Sequence, residues 1–178
     1  MTLQFELGLR QKDVIGEWGE RGAGAEGWSW GLTWGHIDQS MVLRKPTSKS
    51  NGAEVAEHDL RRCPDVLAEL PERGIGPVVL DERTGRPWTA SHFSRTFRKI
   101  ATAAGWPRDV WNMDAKAGAL SEAFEAGAKP EDAMKLATHT QLKTTMGYNR
   151  GALEQTSRVA ELRAARRERP DKGGTGSR

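Results

Sequence analysis

Hydrophobic residues in this chain recur mostly at helical spacing, with one stretch of strand-like alternation between helices. Near the start, Leu9, Val14, Ile15 and Trp18 share one face of a short predicted helix within residues 8–18. Glycines at 22, 24 and 27 then break the pattern. The period changes from Trp28 to Leu43. There Trp30, Leu32 and Trp34 alternate, residues 35–39 make a turn, and Met41, Val42 and Leu43 form a second apolar run. Pro46 ends that run, Thr47 to Gly52 reads as a turn, and Ala53 to Ala56 returns as a third strand.

The remainder is helical apart from one brief apolar strand at Val78, Val79 and Leu80. Pro64 opens a helix that closes before Pro71. Thr89 or Ser91 caps a helix whose stripe is Phe93, Phe97 and Ile100, and Gly105, Trp106 and Pro107 stop it. Helices follow at about 114–126 and 130–137, the first closed by Gly127 and the second opened by Pro130 ahead of Glu131 and Asp132. Residues 151–168 predict a helix with Leu153, Val159, Ala160 and Leu162 inward and arginines outward. The fold class is therefore α+β, mostly helical, with a small antiparallel three-stranded sheet. One domain is expected over residues 1–168, followed by a disordered basic tail at 169–178 that has no apolar residue.

Composition acts mainly by exclusion. The chain has 178 residues, 37% hydrophobic and 29% charged, enough for one domain with its own core. No apolar run approaches the ~20 residues that cross a bilayer, and the N-terminus lacks the basic and then apolar build of a signal peptide. A cytoplasmic protein with no membrane partner is the expectation. Cys63 is the single cysteine, so no internal disulfide forms and no zinc motif is present. No metal or other cofactor is expected. The net charge of +3 permits nucleic acid binding without requiring it.

The candidate chemistry rests on four basic residues at turns and helix ends, Arg10, Lys49, Lys116 and His139, and on the only tyrosine, Tyr148. His139 follows Lys116 by 23 residues, and Tyr148 follows His139 by nine. Singly, each has an ordinary reading: an ion-paired arginine, a satisfied histidine, a packed tyrosine. As an ordered set they resemble the tyrosine recombinase (phage integrase) family. Glu6-Leu7-Gly8-Leu9-Arg10 resembles its first arginine box, and Thr47-Ser48-Lys49 resembles the hairpin that carries its catalytic lysine. Ala137-Thr138-His139-Thr140 with Thr144-Thr145-Met146-Gly147-Tyr148 resembles its last box, which ends in the nucleophile. The resemblance runs from residue 5 to about 165. It implies site-specific recombination of double-stranded DNA by a homo-oligomer assembled on it, through a 3′-phosphotyrosyl link at Tyr148.

The chemistry explains why such residues are needed. A phenol with its usual pKa of ~10 is mostly protonated at neutral pH. Cations must meet the charge that builds on the non-bridging phosphate oxygens, and the leaving 5′-oxygen needs a proton. Arg10 offers a forked grip on phosphate, and His139 offers a hydrogen bond to it. By the resemblance, Lys49 is the general acid and Tyr148 the covalent nucleophile.

The sequence also departs from that pattern. The second box, ordinarily His, two residues, then Arg, aligns with Met113-Asp114-Ala115-Lys116. Lysine keeps the charge but loses the planar fork, at a cost of roughly 10²–10³ in rate if it reaches poorly. The N-terminal helical DNA clamp usual in the family is expected to be absent. DNA-backbone contacts are expected from Arg95, Arg98 and Lys99 on one helix and from Arg44 and Lys45 beside the Lys49 turn, with a plain solvated face as the competing reading. The tryptophans read as core. Two other functions stay open: a truncated or degenerate integrase fragment that binds DNA without efficient cleavage, and a helical interaction protein with no DNA role.

Overall fold

Two clusters of buried apolar side chains organise the chain, and the candidate residues come from elements on both. The structure, a computed structural model, describes residues 1–21 and 25–168. Residues 169–178, expected as a basic tail, lie outside the described residues. The larger cluster gathers Leu7, Leu9, Val14, Ile15, Leu32, Trp34, Ile37, Leu43, Leu60 and Val66. Leu7 and Leu9 follow a short helix, α1 (Thr2–Glu6), and Val14 and Ile15 lie on α2 (Gln11–Ile15). Leu32, Trp34, Ile37 and Leu43 come from the chain between residues 32 and 43, Leu60 from a 3₁₀ turn, Leu60–Arg62, and Val66 from α3 (Pro64–Glu69). The smaller cluster is Leu120, Phe124, Ala133 and Ala137, with Tyr148 packed on it. It is built by α5 (Ala115–Glu125) and α6 (Pro130–Leu136). The chain then continues through α7 (Leu142–Met146) and α8 (Ala152–Glu168).

The sheet differs from the expectation. Among the described residues, the strands form separate antiparallel pairs: β1 (Glu17–Arg21) with β2 (Ala25–Ser29), β3 (Val42–Pro46) with β4 (Val55–Asp59), and β5 (Leu80–Asp81) with β6 (Arg86–Pro87). The β3–β4 hairpin overlaps the second predicted strand, 41–43, and the end of the third, 53–56, but both of its strands run further along the chain. The first predicted strand is absent. Trp30 has φ +64°, a left-handed conformation that ends β2, and Trp34 lies in a 3₁₀ turn, Trp34–His36. Leu32 and Trp34 are both buried, so their spacing reflected burial and not a strand. The helix expected to reach Trp18 stops at Ile15, because Gly16 turns the chain at φ +77°. The Trp28 indole covers that glycine and donates to the Ile15 carbonyl at 2.9 Å. A Cβ at Gly16 would lie 2.3 Å from the indole nitrogen, so no other residue fits there without displacing it.

Other boundaries hold more closely. Helix α4 (Ala90–Ala103) is capped by Thr89, whose hydroxyl accepts from the His92 amide at 3.3 Å. Its buried positions are Phe97 and Ala101, whereas Ile100, expected in the stripe, is 63% exposed. Along α8, Val159, Ala160 and Leu162 are exposed and not inward. Trp106 and Trp111 are about half exposed, so the tryptophans are not uniformly core.

Candidate active site

Arg10 stands at the N-cap of α2, with extended backbone, and the first helical turn brings Asp13 back toward it. The Arg10 guanidinium lies 3.9 Å from the Asp13 carboxylate, which is fully buried. The other Asp13 oxygen accepts the Ser48 amide at 2.6 Å. That bond fixes the loop joining β3 to β4. Inside the loop, the Thr47 amide donates to the Glu54 carbonyl at 2.8 Å, the Thr47 and Ser50 hydroxyls lie 3.0 Å apart, and Asn51 turns the chain at φ +51°. Lys49 is left exposed on the 3₁₀ turn Ser48–Ser50.

His139 and Tyr148 come from the other cluster. After α6 the chain turns at Thr138, φ +50°, and the His139 amide donates to the Met134 carbonyl at 3.0 Å. His139 Nδ1 is 3.0 Å from the hydroxyl of Thr145, a fully buried residue of α7. Beyond α7, the Tyr148 amide donates to the Thr145 carbonyl at 3.0 Å, and the Ser121 hydroxyl of α5 donates to the Tyr148 carbonyl at 3.3 Å. The Tyr148 ring stacks against His139, with centroids 5.9 Å apart and planes 28° from parallel.

A cleft of about 160 Å³ opens where these segments meet, and Arg10, Lys49, Ser50, Glu54, Thr138 and His139 are among the residues that line it. Tyr148 is not among the lining residues and meets them through its stack on His139. Lys116, on α5, lies between the two clusters, and its Nζ donates to the carbonyls of Gly8 and Ala137, both at 2.6 Å. Burial, reinforced by Arg10 and Lys49, pushes this ammonium down to about 7, and Asp13 opposes the shift. Burial and the charges of Lys116, Arg10 and Lys49 push His139 down to about 4, leaving its ring neutral at pH 7. Met113, at the histidine place of the second box, is 68% exposed.

The sequence reading overlooked Asp13 and Thr145. Asp13 carried a signal, a carboxylate three residues after Arg10 and therefore one helical turn away. Thr145 carried none, because only the fold places its hydroxyl on His139. Among the residues expected on DNA, Lys45 is corrected: it is 2% exposed, and its Nζ donates to the Pro46 carbonyl at 2.6 Å, 5.9 Å from the Trp30 ring. The alternation of β3 turns Leu43 and Lys45 inward and Arg44 outward. Arg44 is exposed but engaged by Asp38 at 2.9 Å and Glu57 at 3.0 Å. Arg98 donates to the carbonyls of Pro107 and Val110 and lies 5.2 Å from the Trp111 ring, so it anchors the chain after α4. Arg95 and Lys99 remain exposed on α4.

Among the described residues, no cluster of three or more His, Cys, Asp or Glu side chains is arranged to hold a metal ion. No helix among them is long and apolar enough to cross a membrane. No model of a known protein family matches the sequence, and no curated protein matches it. Solved structures do match. The Tn1549 transposon integrase, in complex with circular intermediate DNA, superposes with TM-score 0.61 at 14% identity, over 92% of this chain and 58% of that one. XerA recombinase gives TM-score 0.56 at 14% identity, over 94% of this chain and 55% of that one. Lambda integrase, as a dimer bound to a core site, gives 0.57 at 16%, over 85% and 51%. The chain spans a little over half the length of these structures. Its fold is the mostly helical one of tyrosine recombinase catalytic domains, with small antiparallel strand pairs attached.

Proposed function

We propose that this chain acts in site-specific DNA recombination and cuts and rejoins double-stranded DNA through Tyr148. The phenolic oxygen of Tyr148 attacks the scissile phosphorus, and its proton passes to solvent water. The bond to the 5′-oxygen breaks, and a 3′-phosphotyrosyl link forms. Arg10 holds the non-bridging oxygens with its fork, and Lys49 protonates the leaving 5′-oxygen. His139, neutral at pH 7, takes a hydrogen bond from Thr145 on Nδ1 and offers its Nε2–H to the phosphate. The observation that carries this reading is the convergence of Arg10, Lys49 and His139 on one cleft, with Tyr148 stacked on His139. Arg95 and Lys99 are the backbone contacts this reading retains on α4. Assembly of several copies on DNA belongs to the same reading, with exposed α8 as the contacting element.

A nicked suicide duplex tests it. Wild-type protein is expected to accumulate a covalent protein–DNA adduct that Tyr148→Phe does not form. Absence of any adduct from wild type, or an equal amount with Tyr148→Phe, sinks the proposal. A second reading, a DNA-binding remnant without efficient cleavage, draws on Met113 and Lys116 in the places of the usual His and Arg. Duplex binding with no adduct in wild type would favour it.

A further inference from the structure

We propose that Lys116 is a positioning residue that clamps the Arg10 segment to the His139 segment and does not itself grip the phosphate. The proposal rests on the reading above for the reaction it serves, while the clamp is a property of the free protein. Residues 8–10 and 137–139 lie far apart in sequence, yet their backbones nearly touch. Gly8 sits at φ +55°, and a Cβ there would be 2.8 Å from the Leu136 carbonyl oxygen. Lys116 reaches in from a third element and donates to the carbonyl two residues before Arg10 and to the one two residues before His139, both at 2.6 Å. The Thr138 hydroxyl donates to that same Ala137 carbonyl at 2.7 Å.

The residue type fits this task. An ammonium is a compact centre whose donors diverge from a single nitrogen toward two acceptors, whereas a guanidinium spreads its donors over a rigid plane. A neutral amine still has two N–H groups, so the clamp survives loss of the proton. On this view the departure from arginine in the second box exchanges one phosphate contact for a fixed distance between the two segments that carry Arg10 and His139.

Amide hydrogen exchange on the full chain, without DNA, tests the clamp directly. Lys116→Met is expected to speed exchange about ten-fold or more in residues 7–10 and 136–139, from loss of two charge-assisted bonds. Gly8→Ala, which keeps Lys116 but wedges the backbones apart, is expected to show the same signature and serves if Lys116→Met does not fold. In the suicide-duplex assay, Lys116→Met should slow adduct formation at saturating DNA about ten-fold or more. Its half-saturating concentration and salt dependence should stay unchanged, and Lys116→Arg should be no faster than wild type. Unchanged exchange in both variants overturns the clamp. A salt slope reduced by about one with weaker binding, or a faster Lys116→Arg, assigns Lys116 to the phosphate instead. If exchange responds as expected but wild type forms no adduct, the recombinase reading fails and the clamp stands.

Discussion

His139 and Lys116 occupy one crowded positive region, and each has shed affinity for its proton to be there. The His139 pKa falls from 6.5 unfolded to about 4 folded. Between those values the unfolded chain binds a proton that the folded chain does not, so stability from this group is present above about pH 6.5 and is lost as pH falls toward 4. The same rule puts the Lys116 effect in a higher window, from about 7 to 10.5, where stability rises with pH. Urea midpoints at pH 7, 5 and 4 check the first window. Wild type is expected to lose more stability over that range than His139→Gln, and equal losses would show that His139 does not resist protonation in the fold. At this scale the sequence disclosed what each residue is, and the order of Arg10, Lys49, Lys116, His139 and Tyr148 disclosed that they belong together. It did not disclose that the Lys116 ammonium is spent on two backbone carbonyls, because that depends on a close approach between segments over a hundred residues apart.

Asp13 connects one element to the next. From α2 it reaches Arg10 on its own turn and the Ser48 amide in the β3–β4 loop, and its charge also supports the ammonium groups of buried Lys45 and Lys116. One fully buried carboxylate thus answers three cations and sets the position of the Lys49 turn. Asp13→Asn keeps the shape and removes the charge. It is expected to lower stability by about 2 kcal/mol, below the figure for a fully buried pair because Arg10 is partly exposed. It should also slow adduct formation as the Lys49 turn drifts. Urea unfolding and single-turnover cleavage measure the two effects, and an Asn variant matching wild type in both would remove Asp13 from the site. The elements themselves were unevenly legible. Helices α4, α5 and α6 could be read because caps and breakers bracket them: Thr89, Gly127 and Pro130. The alternation of Trp30, Leu32 and Trp34 misled because two-residue spacing also arises in an irregular buried segment, here one that begins with a left-handed Trp30.

On the scale of the whole molecule, α8 differs from every other long element. From Thr156 to Arg167 each described residue is exposed, including Val159 at 54% and Leu162 at 66%. A helix polar on nearly all sides draws little of its stability from the domain beneath it, and one of this length is marginal alone in water. Among the described residues, by contrast, the two buried clusters involve none beyond Tyr148. Of the inward face predicted from Leu153, Val159, Ala160 and Leu162, the last three are exposed, and the side chain of Leu153 lies outside those described. Removing residues 157–178 should then shift the melting temperature by less than about 2 °C, since surface changes of this kind stay within about 0.5 kcal/mol. Far-UV circular dichroism should lose the helical signal of the deleted segment while the near-UV signal of the tryptophans persists. A fall of ten degrees or more would mean that α8 packs on the domain in solution and that its exposed apolar residues have a partner within the same chain.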